Sequence, residues 1–342
     1  MINKIKQKKV FIIAEAGVNH NGSLKLAKKM VDAAKDAGAD CVKFQTFKAE
    51  EFVADKNLVY TYKSRGQIIT EPQLSMFKRW EFSKSEWREI INYCRKKKIV
   101  FATTPQNLSD LKMILALTRP PFIKVGSDDL TNLVLLAEYA KRGLPMIISS
   151  GMANAKEIGE AIAVIRRSGN NDITVLHCVS SYPARSEQVN LKKIPAIKNK
   201  FKVKVGFSDH TIGGAAAVGA VCFGAKVIEK HFTLSHDLPG PDHWFSLEPK
   251  GLKKFVEDIR FMEKAIGISA LAPTTAEKKV REIARRSIVA AGNIKVGQKF
   301  TAQDLGCKRP GTGLPPKYLL KIIDKTAKRN IKKNQLLTKN DF

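Results

Sequence analysis

The chain is short of acid. Its 342 residues hold 32 Asp and Glu against 60 Lys and Arg, a formal net charge of +28. Cysteine is also sparse: five are scattered (Cys41, Cys94, Cys178, Cys222, Cys307), odd in number and without a CxxC pair. That pattern excludes a disulfide scaffold and points to a reducing compartment. No run approaches the roughly 18 consecutive apolar residues of a membrane span. The opening MINKIKQKKVFIIAEAG reaches Glu15 within a few residues of its apolar stretch and lacks a cleavage pattern, so no signal peptide is expected. A cytoplasmic protein without membrane partners follows. With 22 Gly, 14 Pro and 44% hydrophobic residues, collagen and disorder are excluded as well.

What is present is a strong positive field. It draws anions, and by itself does not choose between nucleic acid, anionic lipid and a phosphorylated metabolite. Residues 275–342 carry 17 Lys and Arg against 5 Asp and Glu, denser than the rest, yet neither part is a basic tail. A solvated, lysine-rich surface explains that spread better than a specific nucleic-acid interface.

Short apolar, β-branched runs recur and are mostly followed by longer amphipathic stretches. Eight strands are predicted: Val10–Ala14, Cys41–Phe44, Ile99–Ala102, Phe122–Val125, Met146–Ile148, Thr174–Leu176, Val203–Phe207 and Lys226–Ile228. Helices are predicted over Ser23–Ala37, Lys84–Lys97, Leu130–Lys141, Ala155–Arg167 and Gly213–Phe223. Eight strand-then-helix units are the sequence form of a parallel (β/α)8 TIM barrel, assigned to residues 1–267. Residues 46–98 exceed one helix and should carry an inserted lid or excursion on the functional side. Residues 268–284 read as a linker, and 285–342, with short strands and Gly turns, as a small β-rich domain.

In such a barrel the active site forms at the C-terminal strand ends. The residues there are Glu15; Lys43 and Gln45; Thr103 and Thr104; Lys124 and Ser127; Ser149 and Ser150; His177 and Ser180; Ser208, Asp209 and His210; and Glu229, Lys230 and His231. Lys43 and Lys124, with the hydroxyls of Ser127, Ser149, Ser180 and Ser208, supply cations and donors suited to a phosphate and a carboxylate on one small molecule. His210 and His231 end neighbouring strands about 4.8 Å apart, so two imidazoles could share one divalent cation, Mn2+ or a similar ion. The alternative is one general-base histidine beside one packing histidine. His20 could touch substrate or stabilise a turn, His177 reads as a core histidine, His236 as loop surface, and His243 as a wall of a sugar pocket.

The motifs IIAEAGVNHNG, VKFQTF, IKVGS, IISSGM, HCVSSYP, VGFSDHT, IEKHFTL and PGPDH, followed by RRSIVA and KRPGTG, resemble the sialic acid synthase family of nonulosonic acid synthases. The resemblance runs from about residue 11 to the C-terminus. It implies a barrel followed by an antifreeze-like SAF domain, in a domain-swapped homodimer. The implied reaction joins phosphoenolpyruvate, an N-acetylmannosamine-type sugar and water into a nine-carbon 2-keto acid and phosphate. A 2,4-diacetamido sugar leading to legionaminic or pseudaminic acid is the alternative acceptor.

Carried over by motif, Lys43, Lys124, Ser127, Ser149 and Ser208 match phosphoenolpyruvate contacts, and Ser180 stands where some members have Asn. His210 and His231 match metal ligands for Mn2+, with Mg2+ or Co2+ as alternatives. Glu15 matches the acidic residue beside the reacting carbons. On the sugar side stand Gln45, Asp129, Tyr182, Asp242 and Arg309, the last an SAF-domain arginine implied to reach into the partner's barrel. Asp129 replaces a Glu of some members, TPQN stands at Thr104–Asn107 where TPFD is commoner, and HWFS follows Asp242 in place of HKAS. The departures lie toward the sugar. Two rivals are a barrel synthase that uses an aldose phosphate, which needs a second phosphate site, and a basic nucleic-acid-binding protein, which leaves the strand-end constellation without a purpose.

Overall fold

In a computed structural model, residues 9–342 are described. Eight strands form one parallel sheet: β1 (Phe11–Gly17), β2 (Cys41–Thr46), β5 (Val100–Pro105), β6 (Ile123–Val125), β7 (Met146–Ser149), β8 (Ile173–Cys178), β9 (Lys204–Asp209) and β10 (Val227–His231). The hydrogen-bonded order is β5-β2-β1-β10-β9-β8-β7-β6, and β5 and β6 pack side by side without a ladder, so the sheet is a nearly closed barrel. β1 and β8 are buried at every residue, as strands covered on both faces must be.

The alternation of side chains divides each strand between two cores. One set faces the helices in the main core, with Ile12, Val42, Phe101, Val125, Ile148 and Val205 among its members. The other set fills the lower barrel as an apolar plug of Phe11, Ile13, Cys41, Ala102, Phe122, Ile147, Leu176 and Val227. Helices cover the outside, with local reasons for their bounds. Ser23 caps α1 (Leu24–Asp36) by accepting from the Leu26 amide, and Ala27, Met30, Val31 and Ala34 form its buried stripe. Ser83 and Glu86 make a capping box on α4 (Lys84–Lys97), whose last turn carries Arg95, Lys96 and Lys97 where the helix dipole favours cations.

Six of the eight strands continue two or three residues past the predicted runs at the C-terminal end, β7 continues one and β6 none, so Glu15, Cys178, Asp209 and His231 lie within strands. Hydrophobic pattern alone stops where the inner face turns polar. The excursion between β2 and β5 holds α2 (Ala49–Phe52), an antiparallel hairpin of β3 (Val59–Ser64) and β4 (Gln67–Pro72), and α3 (Gln73–Lys78) ahead of α4. Its two-residue turn, Arg65-Gly66, has positive φ at both positions (49° and 79°), the geometry that matches strand twist in a tight hairpin.

The chain divides into two compact units, the first ending at Gly267 and the second running Ile268–Phe342. The stretch expected as a linker contains a helix (Thr275–Ala284), capped by Thr274 and Glu277 and with no buried residue. In the second unit β11 (Ser287–Ala290) pairs antiparallel with β12 (Leu305–Lys308) over a separate core that includes Ile288, Phe300, Leu314, Ile331 and Leu337.

Candidate active site

The residues that would follow the plug on the inner face of each strand are polar, and they floor a cavity of about 650 Å3 at the C-terminal mouth. Glu15, Lys43, Thr104, Lys124, Ser149, Cys178, Ser208 and Glu229 all line it. Each except Ser208, which follows Gly206, stands two residues beyond a plug side chain, as Lys124 does beyond Phe122 and Glu229 beyond Val227.

The floor is a buried network of two lysines and two glutamates. Lys43 Nζ lies 2.6 Å from Glu15 Oε2 and 3.7 Å from Glu229 Oε2, and donates to Thr104 Oγ1 at 2.8 Å. Lys124 Nζ lies 3.6 Å from Glu229 Oε1 and donates to Ser149 Oγ at 2.7 Å and to the Val125 carbonyl at 3.0 Å. Ser208 Oγ donates to Glu229 Oε1 at 3.0 Å. Burial raises the Glu15 carboxyl to about 7, with Lys43 opposing and Glu229 adding to the shift. Burial also acts on Glu229, but Lys124 and Lys43 outweigh it and hold the group at about 2. Burial pulls the Lys43 ammonium down, and Glu15 and Glu229 more than restore it. Lys124 ends below its ordinary value, because burial exceeds the pull of Glu229.

At the rim, Ser127 Oγ accepts from the Gly151 amide at 2.9 Å. A Cβ at Gly151 would stand 2.2 Å from Ser180 Oγ and 2.7 Å from Ser127 Oγ, so only glycine lets both hydroxyls crowd this backbone. Gln45, Tyr182 and Asp242 also line the cavity. Burial lifts the Asp242 carboxyl to about 6.

The His210 and His231 rings lie 5.5 Å apart, with Tyr182 4.2 Å from His210. His210 Nδ1 is 2.8 Å from the Val179 carbonyl, which in the neutral ring assigns the proton to Nδ1 and leaves a lone pair on Nε2. His231 Nδ1 is buried without a hydrogen-bond partner, 3.5 Å from Asp242 Oδ2. Burial, then His210, holds His231 well below its ordinary value, so its ring is neutral. Burial pulls His210 down but Cys178 more than restores it, and its Nε2 lies 3.4 Å from Ser208 Oγ; in their neutral forms the two imidazoles fit the donor set of a divalent cation with open positions. Among the described residues no group of three or more His, Cys, Asp or Glu that could hold a metal ion forms.

Some expected residues stand elsewhere. Asp129 is turned out of the cavity, accepting from Asn132 Nδ2 at 3.1 Å, and its neighbour Asp128 lines the mouth instead. Arg309 is exposed in the second unit, one residue past β12. His20 accepts from the Gly22 amide at 3.1 Å and stacks on Phe82 at 4.3 Å, a turn-stabilising role, with burial lowering it to about 3. His177 points outward and donates to the Val189 carbonyl. His243 lies behind the cavity wall, bonded to Thr233 and Asn21. His236 is half exposed against Ser246.

Sequence reasoning placed Glu229 at a strand end without a specific role and passed over Cys178 as a site residue. Counting back two residues from His231 finds Glu229 on the same face. On β8 the polar His177 drew attention to the wrong face of the pleat, and Cys178 is the inward residue, with Sγ 3.8 Å from His210 Nδ1. The excursion's contribution of Phe52, Tyr60, Gln73, Met76, Phe77 and Trp80 had no local polar signal at all.

The chain belongs to the NeuB family: the NeuB family model matches residues 30–270 and the SAF domain model residues 285–342. The chain is 41% identical over 332 residues to the N,N'-diacetyllegionaminic acid synthase of Campylobacter jejuni, covering 96% of this chain and 99% of that one. It is 35% identical over 320 residues to the human N-acetylneuraminate-9-phosphate synthase, covering 92% and 88%. The crystal structure of the N-acetylneuraminic acid synthetase of Leptospira borgpetersenii, in complex with citrate, matches with a TM-score of 0.71 and 36% identity over 80% of this chain and 90% of that one.

Proposed function

We propose that the protein condenses phosphoenolpyruvate with an open-chain N-acyl hexosamine and water, giving a nine-carbon 2-keto acid and inorganic phosphate. The observation that carries the reading is the buried floor: two lysines and a row of hydroxyls at one end, and a carboxyl poised near neutrality beside a histidine pair, all facing one cavity. Its volume of about 650 Å3 suits two small molecules held together.

Lys43 and Lys124 offset the charges of the carboxylate and phosphate, while Ser127, Ser149, Ser180 and Ser208 donate to their oxygens and fix the enol's orientation. His210 and His231 would hold a divalent cation, Mn2+ in this reading with Mg2+ or Co2+ as alternatives, which would supply Lewis-acid polarisation of the aldehyde. C3 of phosphoenolpyruvate bonds to the aldehyde carbon, whose oxygen takes up a proton, and positive charge develops at C2. Ionised Glu15 stabilises that charge and accepts a proton from the water that adds there. The tetrahedral carbon then breaks its bond to the phosphate oxygen and closes to the ketone, the C2 hydroxyl proton leaving with the phosphate, while the proton taken by Glu15 balances the one gained by the aldehyde oxygen. Glu229, ionised throughout, keeps both lysines charged. Gln45, Tyr182 and Asp242 bind the sugar. A homodimer in which Arg309 serves the partner's sugar site belongs to the same proposal.

The test is phosphate release from phosphoenolpyruvate with Mn2+, in the presence of N-acetylmannosamine, a 2,4-diacetamido-6-deoxy hexose, or no sugar, with the product weighed by mass spectrometry. Sugar-dependent release with a keto acid of the summed mass is expected. Binding of phosphoenolpyruvate without release in any well would overturn the condensation.

A further inference from the structure

The excursion between β2 and β5 gives the cavity a surface unlike the floor. The strands supply all the basic groups that line it, whereas the excursion supplies Phe52, Tyr60, Met76, Phe77 and Trp80. Phe77 is the centre of that wall: its ring meets Phe52 edge-on at 5.0 Å and Trp80 at 6.0 Å. Met76 and Trp80 are buried beneath it, while Phe52 and Phe77 stay half-buried with a face toward the cavity.

Charge is divided in the same way. Among the described residues that line the cavity, the only Lys or Arg side chains are Lys43 and Lys124, both on the floor and both facing Glu15 or Glu229. No cation lines the cavity beside the ring cluster, and the charged groups nearer the rim are the carboxylates of Asp128 and Asp242.

We propose that this wall selects the acceptor by its far end, taking an uncharged hexose with methyl-bearing substituents there and rejecting one phosphorylated at that end. The inference rests on the synthase reading above. A phosphate laid against these rings loses hydration, finds no Lys or Arg of its own subunit in the lining there, since Arg79 on Trp80 is paired with Glu71, and meets two carboxylates. A methyl or acetyl group in the same place buries apolar surface against aromatic faces, and amide N–H groups find acceptors in the same carboxylates. Specificity for the far end thus lies in one continuous stretch, residues 49–80, and not in the strands.

The experiment compares kcat/KM for N-acetylmannosamine, its 6-phosphate and a 2,4-diacetamido-6-deoxy hexose, using the full-length protein with phosphoenolpyruvate and Mn2+. The wild-type protein should favour the uncharged sugars over the 6-phosphate by about 100-fold or more, since a buried polar mismatch discriminates strongly. Phe77→Arg should shrink that ratio about tenfold by placing a cation in the wall, with KM for phosphoenolpyruvate unchanged. Phe52→Arg, at a half-buried position, carries the same test if Phe77→Arg does not fold. A wild-type preference for the 6-phosphate, or an unchanged ratio in folded arginine variants, overturns the wall while leaving the synthase in place. Release with none of the sugars overturns the synthase reading, and this one with it.

Discussion

Glu15 and Glu229 sit on paired strands, 2.6 and 3.7 Å from the same lysine, Lys43, yet their proton affinities are driven far apart. Glu229 has Lys124 as well and falls to about 2, whereas Glu15 has less to set against burial and rises to about 7. One carboxyl therefore changes charge near neutrality beside one that does not. Such a divergence separates a proton-transfer group from a fixed counter-charge.

The role given to Glu15 needs its ionised form, so kcat/KM should rise with pH through about 7 and level off above it. Glu15→Gln should abolish that limb and lower turnover by about 100-fold or more, with phosphoenolpyruvate still bound in calorimetry. The linkage has a definite sign. A carboxyl raised from its ordinary 4.5 to about 7 contributes stability that is complete below 4.5 and lost as pH climbs through about 7. Ionising Glu15 for chemistry thus works against the native state.

His231→Ala should remove turnover and weaken Mn2+ binding while leaving the melting temperature close to that of the wild type. The ring makes no hydrogen bond through Nδ1 whose loss would unfold the strand. Activity assays with titrated Mn2+, beside calorimetry of metal binding, check both; full activity in the variant would remove the metal assignment.

Behind the two histidines, Lys230 Nζ lies 3.1 Å from Asp209 Oδ2, both nearly inaccessible, and also donates to the Thr211 carbonyl. Breaking such a pair from one side leaves a buried charge alone, at a cost of about 3–5 kcal/mol. Asp209→Leu should show that loss in urea unfolding, and the double substitution with Lys230→Met should recover most of it.

Arg309→Ala should raise KM for the sugar about 10-fold to 100-fold, the worth of a charge-assisted hydrogen bond, with KM for phosphoenolpyruvate unchanged. Sedimentation of the unaltered protein should show a homodimer. A variant with wild-type kinetics would mean that the second unit serves stability alone.

The barrel was legible because doubly covered strands read as apolar runs; Lys43 and Lys124 stood out as charges inside such runs, and Ser149 and Ser208 as polar residues directly after them. The strand ends were less so, since Glu15 and His231 continue strands that hydrophobicity would stop short of them. Asp128 and Asp129 show the limit of motif matching: adjacent and identical in type, they differ only in which way the backbone turns after Ser127. Phe52, Phe77 and Trp80 were invisible as site residues because nothing about an aromatic in an excursion says which cavity it faces. Their role depends on the fold of the hairpin between them.

The apolar plug gives the empty site a thermodynamic character. Lys124 stands one pleat above Phe122, and Glu229 one above Val227, so each charged side chain is rooted in a layer already close-packed. Little rotamer freedom is left to surrender when a ligand arrives, because the ordering took place when the barrel folded. Phosphoenolpyruvate binding should therefore carry only a small conformational-entropy penalty in the protein, and enlarging the plug by as little as a methylene should be felt at the lysines as misaimed donors.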